Sequence, residues 1–391
     1  MAAPDSAPFP LVEMQAIANA RNDWRALGLR VDPAGADATD ALFAVFRDPD
    51  LLVAIAPLDC VLYLSTPAIL TPDLLELVPP HRVVLAVDAA ALAAPAALKQ
   101  LVDLHDDGYR IMLDGAAPPG IAAPAGLQRS SRDCAAGAPG GASLSALSGP
   151  HLARQVGDAA RFAECAAAGF EWFSGAYPFH PAPGAEPDDG SSRKRLLAML
   201  GLLARDADNS ELEHLLKQDP ALSYHLLKLV NSAAFALSNP ITSFGQAINL
   251  LGRRQLQRWL QLLLYARHQQ DGLPNLLLPQ AALRAAQMEA LCKVNGGDRD
   301  AQDIAFMVGV FSLLDVLFAL PMDELVGALR LPPGAGAALL TRSGPLGLML
   351  RLVETPLPSA QALQDAGITS LRWWHSQLHA HHWAIQVSRN L

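Results

Sequence analysis

Near the end of the chain lies the densest group of side chains able to bind a metal. His375, His379 and His382 are spaced by four and three residues, so a helix places them on one face. Two histidines at such a spacing can ligate a transition metal. The tryptophans that interleave with them are Trp373, Trp374 and Trp383. Because tryptophan suits packing or a protein interface, and no carboxylate or cysteine lies nearby, the pattern favours a packed helix face.

The densest basic patch is Arg253, Arg254 and Arg258. Such a patch can pair with the phosphates of a nucleic acid. The whole chain, however, has 29 Lys and Arg against 38 Asp and Glu, which gives a formal net charge of -9. This balance disfavours a protein that binds nucleic acid or an anionic membrane through its overall field. We therefore expect a solvated helix start and no nucleic-acid partner.

Cysteine usage and motifs exclude several common site types. The four cysteines, Cys60, Cys134, Cys165 and Cys292, form no CxxC pair. Scattered cysteines favour neither a disulfide framework nor a zinc knuckle. No GxSxG motif, no P-loop and no GxGxxG after a strand occurs. Reduced thiols in the cytoplasm are the expected state.

No segment of the sequence predicts a membrane span. The apolar run 305–320 is shorter than the roughly 18 residues that a span needs, and it contains Asp315. The first ten residues lack the basic and apolar regions of a signal peptide. We therefore expect a buried core helix at 305–320 and a cytoplasmic location.

Residues 10 to 180 alternate short apolar runs with helical patches. The predicted strands are 51–57, 61–64, 83–87 and 110–113. Thr71 can cap a helix over 72–77 that has Pro72 at its first position, and a second helix is predicted over 91–104. Strands and helices at this spacing indicate a parallel sheet. We expect a loop over 118–150 and a helix over 152–168.

The second half of the chain has a different rhythm. Residues 182–192 have the composition of a linker. Nearly all that follows has the spacing of amphipathic helices, including one over 303–320. The sequence therefore predicts an α/β domain over 1–181, a linker over 182–192 and an all-α domain over 193–391.

Residues 225–260 resemble the core signature of the HDOD domain. The residues that carry the likeness are Asn231-Ser232, Gln246-Ala247-Ile248 and Leu251-Gly252, with a later helix at 305–318. HDOD domains are related to HD hydrolases, whose metal sites need an adjacent His and Asp. Here Ser312 and Leu313 occupy those positions, and Asp315 is displaced. The resemblance therefore implies no metal, and we expect Asp315 to be a hydrogen-bonded carboxylate.

The first half resembles, more locally, an EAL domain, the barrel of cyclic di-GMP phosphodiesterases. The segments that carry the likeness are 14–30, 108–116 and 169–181. Together the two halves resemble EAL-HDOD bacterial signalling proteins. The resemblance implies a shortened, degenerate EAL-type (β/α) barrel followed by an all-helical, HD-related HDOD domain.

The resemblance also implies that the catalytic metals of the EAL site are lost. Two divalent metals need several carboxylates at strand ends. Arg25 takes the position of the tripeptide glutamate, and of the paired aspartates only Asp114 remains. The late glutamate positions fall on Arg154 and Gly157, and the closing glutamine falls on Ser174. The other ligand positions fall on Tyr63 or Leu64 and on Leu85-Ala86-Val87. One carboxylate cannot hold two metals, so we expect neither phosphodiesterase activity nor a cofactor.

The function that the resemblance implies is non-catalytic regulation through protein contacts, linked to cyclic di-GMP pathways. The partners would be signalling proteins such as cyclic di-GMP enzymes or response regulators, and a homo-oligomer stays open. The HDOD residues assigned to this surface are Asn231, Ser232, Phe235 with the loop to Thr242, Gln246, Gly252 and Asp315. Asn231 has a second interpretation, since it can simply satisfy backbone groups at a helix end.

The alternative is a cyclic di-GMP receptor that works without metal. Arginines can pair with phosphates, and the candidate nucleotide contacts are Arg25 and Asp114, with Arg129 and Arg132 as further arginines. The two hypotheses differ in one observable, which is saturable, metal-independent binding of the nucleotide.

Overall fold

The computed structural model divides into two compact units. The described residues are 8–33, 37–121, 123–138, 144, 148–181, 198, 208, 211, 254–255, 257–265, 274–329 and 331–390. The first unit comprises 1–183, 356–364 and 369–378, and the second comprises 184–355, 365–368 and 379–391. Each unit is described by itself below.

The first unit is a closed barrel of eight strands in sequential order. The strands are β1 (Leu11–Asn19), β2 (Trp24–Asp32), β3 (Asp59–Leu64), β4 (Val83–Asp88), β5 (Arg110–Asp114), β6 (Ser130–Asp133), β7 (Leu152–Arg154) and β8 (Trp172–Phe173). Strand β1 runs antiparallel to β2 and β8, and all other neighbours are parallel. The carboxyl ends of β2 to β8 therefore meet the amino end of β1 at one opening, which we name the barrel mouth.

Helices accompany these strands in the described part of residues 8–181. They are α1 (Ala38–Phe46), α2 (Asp50–Ala54), α3 (Pro72–Leu75), α4 (Pro95–Asp106) and α5 (Ala159–Ala167). Short 3-10 turns lie at Pro67–Ile69, Ala89–Ala93, Ala125–Leu127 and Tyr177–Phe179. The predicted cap is confirmed, because the Thr71 hydroxyl accepts a hydrogen bond from the Leu74 amide at 3.4 Å. Helix α4 begins only at Pro95, which needs no amide partner at its first helical position.

The interior of the barrel is filled by an apolar cluster. Its members are Ile17, Ala26, Val61, Val84, Ala86, Met112 and Leu152, with Tyr63 and Trp172 packed against them. These residues come from alternate positions on their strands, as a barrel interior requires. The inward-facing positions that hold polar residues lie towards the barrel mouth.

Of the four strands predicted for this unit, three are confirmed and one is wrong. The strands at 61–64, 83–87 and 110–113 are confirmed within β3, β4 and β5. The predicted strand at 51–57 is wrong, because Asp50–Ala54 is helical, with Leu51 and Ala54 buried and Val53 65% exposed. This three-residue spacing is that of a helix.

The region 118–168 also differs from its prediction. The expected loop contains β6, and the expected helix begins with β7 and becomes helical only at Ala159. The barrel is therefore closed and is not shortened in its number of strands. Both missed strands are very short, and their pairing depends on their parallel neighbours.

The described elements of the second unit are helices. They are α6 (Leu277–Val294), α7 (Arg299–Phe311), α8 (Leu314–Phe318), α9 (Met322–Leu329), α10 (Pro333–Thr341) and α11 (Gly344–Glu354). Gly309 of α7 lies against α6, where a Cβ atom would be 2.5 Å from the Ala285 Cα atom. The Tyr265 hydroxyl donates to the Val310 carbonyl oxygen at 2.7 Å. The predicted helix over 303–320 is two helices, since Leu313 leaves helical geometry between α7 and α8.

Two further helices are α12 (Ala360–Asp365) and α13 (Ser370–Asn390), and residues of each fall in both units. Within the first unit, the Trp374 ring stacks on Phe9 with centroids 5.8 Å apart, and its Nε1 donates to Asp48 Oδ2 at 2.7 Å. The Gln377 side chain donates to the Val12 carbonyl oxygen. These contacts explain why 369–378 groups with the barrel, whereas the sequence assigned that segment and 356–364 to the helical domain. The boundary at 182–192 lies outside the described residues.

The tryptophans near the C-terminus pack inside the molecule. Trp373 and Trp374 are buried in the first unit, and Trp383 lies 4.8 Å from the Trp259 ring in the second. His375 contacts Asp48 at 3.5 Å and stays exposed. No helix in the described part of the chain is long and apolar enough to cross a membrane.

We expect the substitution Trp374→Phe to lower the free energy of unfolding by about 2 kcal/mol, because it removes a hydrogen bond to a carboxylate and keeps an aromatic ring on Phe9. Circular dichroism during urea denaturation measures this change. Leu371→Ala is the matched control on the same helix, since that side chain is 45% exposed, and it should change stability by less than about 0.5 kcal/mol. Equal effects of the two substitutions would contradict the assignment.

Candidate functional site

The barrel mouth contains a polar cavity of about 260 Å³. Its lining residues are Glu13 and Gln15 of β1, Gly28 and Arg30 of β2, Tyr63 of β3, and Arg154 and Gln155 at the end of β7. Four of them lie two residues from a member of the apolar cluster, on the mouth side, and so face inward as well: Gln15, Gly28, Tyr63 and Arg154. The inward-facing side chains are thus apolar in the interior of the barrel and polar at its mouth.

Arg154 is the most firmly held of these side chains. Its Nε donates to the Ser131 hydroxyl at 2.9 Å, and its Nη2 lies 2.9 Å from Asp114 Oδ1. The Arg154 and Asp114 side chains are only 15% and 17% exposed. Ion pairs shielded from water in this way are little screened by salt. Three neighbouring strands therefore fix one guanidinium at the mouth.

Tyr63 lies between two arginines of the mouth. The Arg30 Cζ atom is 4.6 Å from the centre of the Tyr63 ring, and the Arg154 Cζ atom is 5.8 Å from it. Such distances allow cation–π attraction. Burial raises the pKa of Tyr63 to about 12, against the opposing influence of both arginines. The phenol is therefore neutral at neutral pH and can donate a hydrogen bond.

Gly28 makes room for this aromatic ring. A Cβ atom at position 28 would lie 3.0 Å from Tyr63 Cε2. A larger side chain on β2 would therefore have to displace the ring. Arg30 follows two positions later on β2 and reaches the mouth. Its Nε atom lies 3.7 Å from Glu13 Oε2.

The carboxylates at the strand ends have other partners. Asp114 pairs with Arg154, Asp88 accepts from the Ala90 amide, and Asp133 accepts from the Ala135 amide. In the part of the chain that the structure describes, no three His, Cys, Asp or Glu residues are grouped to hold a metal. The residues of the mouth therefore do not fit the two divalent metals that the EAL resemblance implies. They fit an anion, because guanidinium groups pair with phosphate or carboxylate.

The structure places Asp114 at the mouth and Arg25 away from it. Arg25 is the second residue of β2, its side chain is 53% exposed, and it pairs with Asp23 at 3.1 Å. Because only the carboxyl end of β2 faces the mouth, Arg25 is about 16 Å from Arg30 along the strand. Arg25 is therefore not among the residues that line the cavity, and its role as a nucleotide contact stays a prediction. Arg30, which the sequence reasoning missed, is the arginine of β2 that reaches the cavity.

Of the two further candidate arginines, Arg129 is hydrogen-bonded to the backbone and Arg132 is partly buried near Asp114. Arg129 Nε donates to the Gly149 carbonyl oxygen at 2.9 Å. Burial lowers the pKa of Arg132, and the nearby Asp114 opposes that shift. Ser174, expected at the closing glutamine position, is buried. The inward alternation of Ala26, Gly28 and Arg30 was the available signal for the missed arginine.

The basic patch of the second unit is neutralised by acidic side chains. Arg258 makes two hydrogen bonds to the Glu289 carboxylate, at 2.6 and 3.0 Å, and one to Asp303 at 2.8 Å. Arg254 donates to the same Asp303 at 2.6 Å. The prediction of a solvated helix start is wrong for these two arginines, because both lie in an ion-pair network. Arg253 lies outside the described residues.

An arginine contacts Ser312, one of the two positions that the sequence analysis assigned to the HD metal pair. Arg284 Nη1 donates to the Ser312 hydroxyl at 3.0 Å and to Glu354 Oε1 at 3.1 Å. Burial lowers the pKa of Arg284, and the Glu354 carboxylate opposes this shift. Asp315 is half-buried and accepts a bond from the Val316 amide. The remaining HDOD candidates, Asn231, Ser232, Phe235, Gln246 and Gly252, lie outside the described residues.

A family comparison identifies a domain within the second half of the chain. The HDOD domain model matches residues 194–310. The chain contains an HDOD domain. Its match is confined to that part of the chain, so the HDOD assignment says nothing of the barrel.

Two curated relatives match about half of the chain. The cyclic di-GMP phosphodiesterase CdgJ of Vibrio cholerae is 32% identical over 206 residues, which are 52% of this chain and 47% of that protein. YuxH of Bacillus subtilis is 28% identical over 206 residues, which are 52% and 50% of the two chains. The chain thus spans about half the length of the curated relatives it matches.

Two solved structures are each similar to less than half of the chain. The PaMucR phosphodiesterase in its c-di-GMP complex has a TM-score of 0.35 at 15% identity, over 43% of this chain and 94% of that one. An HDOD domain protein of Geobacter sulfurreducens has a TM-score of 0.31 at 15% identity, over 48% and 82% of the chains.

We expect Arg154→Ala to lower the free energy of unfolding by about 3 kcal/mol, because it leaves Asp114 without its cation at a shielded site. Arg25→Ala removes an exposed ion pair and should cost less than about 1 kcal/mol. Urea denaturation of both variants measures the difference. A loss for Arg154→Ala no larger than for Arg25→Ala would show that the mouth ion pair contributes nothing to the barrel.

Proposed function

We propose that this chain is a non-catalytic regulatory protein of cyclic di-GMP signalling that acts through contacts with other signalling proteins. The observation that carries the proposal is the use of the carboxylates at the barrel mouth. Asp88 and Asp133 cap their own loops, and Asp114 is paired with Arg154. Metal-assisted hydrolysis of a phosphodiester needs carboxylates free to bind cations, and these are committed elsewhere.

The HDOD domain supplies the second support for this proposal. The equivalent of the HD metal pair is filled by Ser312 and Leu313, and Arg284 brings a positive charge to the Ser312 hydroxyl. A guanidinium at this place opposes the binding of a divalent cation. The partners proposed for the domain are cyclic di-GMP enzymes and response regulators. The Vibrio cholerae relative bears the name of a cyclic di-GMP phosphodiesterase. We take this name as support for a role in cyclic di-GMP signalling, and not for a phosphodiesterase activity of this chain.

A second candidate function is a cyclic di-GMP receptor that needs no metal. The observation that favours it is the pair of guanidinium groups beside Tyr63. The cavity of about 260 Å³ is smaller than the roughly 300–1,000 Å³ of sites that enclose drug-sized ligands. It would therefore hold one phosphate group and leave the rest of the nucleotide outside.

We expect the full chain, incubated with cyclic di-GMP and Mg²⁺ or Mn²⁺, to release no linear dinucleotide on chromatography. Metal-dependent product, abolished by a chelator, would overturn the non-catalytic assignment. Binding assays of the chain against purified cyclic di-GMP enzymes and response regulators test the other half of the proposal. Saturable binding to at least one of them is the expected result.

Calorimetric titration with cyclic di-GMP in the presence of a chelator tests the receptor function. If the mouth binds the nucleotide, Arg30→Ala should weaken binding by about tenfold or more, since a hydrogen bond to a charged group contributes about 1.5–3 kcal/mol. Arg25→Ala is the matched control and should leave the affinity unchanged, because that side chain lies away from the mouth. No heat of binding would exclude the receptor and leave the regulatory role standing.

A further inference from the structure

The cavity at the barrel mouth has charges of both signs. Its charged lining residues are Glu13, Arg30 and Arg154. The charge of Arg154 is balanced by Asp114, whose Oδ1 atom lies 2.9 Å from Arg154 Nη2. One carboxylate and one guanidinium therefore remain to bind a ligand. From this pair of opposite charges we propose that the barrel mouth binds a free α-amino acid as a zwitterion. The proposal is independent of the non-catalytic role proposed above.

Glu13 and Arg30 are close together but are not hydrogen-bonded to each other. Arg30 Nε is 3.7 Å from Glu13 Oε2, whereas a charge-assisted hydrogen bond between such groups is about 2.7–2.9 Å long. The Arg30 and Glu13 side chains are 49% and 24% exposed, so a ligand from solvent can reach both. An α-amino acid carries its ammonium and its carboxylate on the same carbon atom. The carboxylate can therefore pair with Arg30 while the ammonium pairs with Glu13.

The same pair of charges disfavours a ligand with a net negative charge. A phosphate group bound to Arg30 would lie near the Glu13 carboxylate, because the two side chains are only 3.7 Å apart. Like charges at such a separation repel each other. A zwitterion instead attracts both side chains. The cavity therefore favours an amino acid over a phosphate group, although a guanidinium alone could bind either.

The uncharged lining residues indicate the kind of side chain that the amino acid has. Gln15 and Gln155 each have an amide that can donate and accept hydrogen bonds. Burial raises the pKa of Tyr63 to about 12, so its phenol is neutral at neutral pH and can donate. Apart from Gly28, every residue that lines the cavity has a polar side chain. We therefore expect an amino acid with a small polar side chain, which suits a cavity of about 260 Å³.

Gln155 lines the cavity from a strained backbone conformation. Its φ of 56° lies in the left-handed region, which is uncommon for residues other than glycine. Both of its neighbours are fixed by backbone hydrogen bonds. The Cys134 amide donates to the Arg154 carbonyl oxygen at 2.9 Å, and the Val156 amide donates to the Ser174 carbonyl oxygen at 3.0 Å. Such strain persists where the surroundings enforce it, and it is concentrated at ligand sites. This observation supports a ligand site independently of the charges.

The first test is thermal denaturation of the full chain with each standard L-amino acid at about 10 mM, since a ligand of the native state raises the midpoint of unfolding. We expect at least one amino acid with a small polar side chain to raise the midpoint in a saturable way. The amine that lacks its carboxylate and the carboxylic acid that lacks its ammonium are the matched controls. Neither should raise the midpoint, because each leaves Arg30 or Glu13 without its partner.

The second test distinguishes a zwitterion from an anion by calorimetric titration of the amino acid that stabilises the chain. Arg30→Gln and Glu13→Gln should each weaken its binding about tenfold or more, because each removes a hydrogen bond between charged groups. If the ligand were an anion, Glu13→Gln would strengthen binding instead. Arg21→Gln is the matched control and should leave the affinity unchanged. Arg21 is exposed and lies in the turn between β1 and β2, at the end of the barrel opposite the mouth.

Three results would overturn the proposal. One is that no amino acid raises the midpoint of unfolding. Another is that the amine or the carboxylic acid stabilises the chain as well as the amino acid does. The third is that Glu13→Gln strengthens binding. The first two are measured on the wild-type chain and do not depend on the folding of a variant. None of them affects the non-catalytic role, which is tested separately by the release of linear dinucleotide.

Discussion

The burial of the Arg154 guanidinium is the constraint on which the barrel mouth depends. A charged group removed from water is stable only if its donors find partners. Here β5 supplies the Asp114 carboxylate and β6 supplies the Ser131 hydroxyl. One side chain thus joins the ends of three consecutive strands, two of which are only three or four residues long. The same pairing consumes the carboxylate that an EAL-type site would need for a metal.

The sequence predicts strands well where a strand is a long apolar run, and poorly elsewhere. Strands β3, β4 and β5 are buried over most of their length, and for that reason they could be predicted from the sequence. Residues 51–57 are equally apolar, but a short apolar run does not distinguish a strand from a buried helix. Strands β6 and β7 contain serine and arginine and exist because their parallel neighbours pair with them. That information is tertiary and cannot be read from a local pattern.

Of the residues at the barrel mouth, the sequence located Asp114 and Arg154 but did not single out Arg30. Asp114 could be located because it follows a clear strand. Arg25 and Arg30 lie towards opposite ends of the same strand, β2. An alignment that is wrong by a few residues therefore assigns a role to the wrong end of the barrel. The prediction that Arg254 and Arg258 are solvated was wrong for a different reason. Its acidic partners are 31 to 49 residues away along the chain, so only the packing of α6 and α7 brings them together.

Space as well as charge makes the barrel mouth fit an anion better than a divalent cation. The Tyr63 ring occupies the volume that a side chain at position 28 would need, since a Cβ atom there would touch it at 3.0 Å. The ring is in turn covered by Arg30, whose charge opposes any divalent cation. A carboxylate introduced at position 28 would therefore have to displace the Tyr63 ring, and the Arg30 guanidinium that covers this ring would oppose a divalent cation. Both effects support the non-catalytic role proposed for this protein.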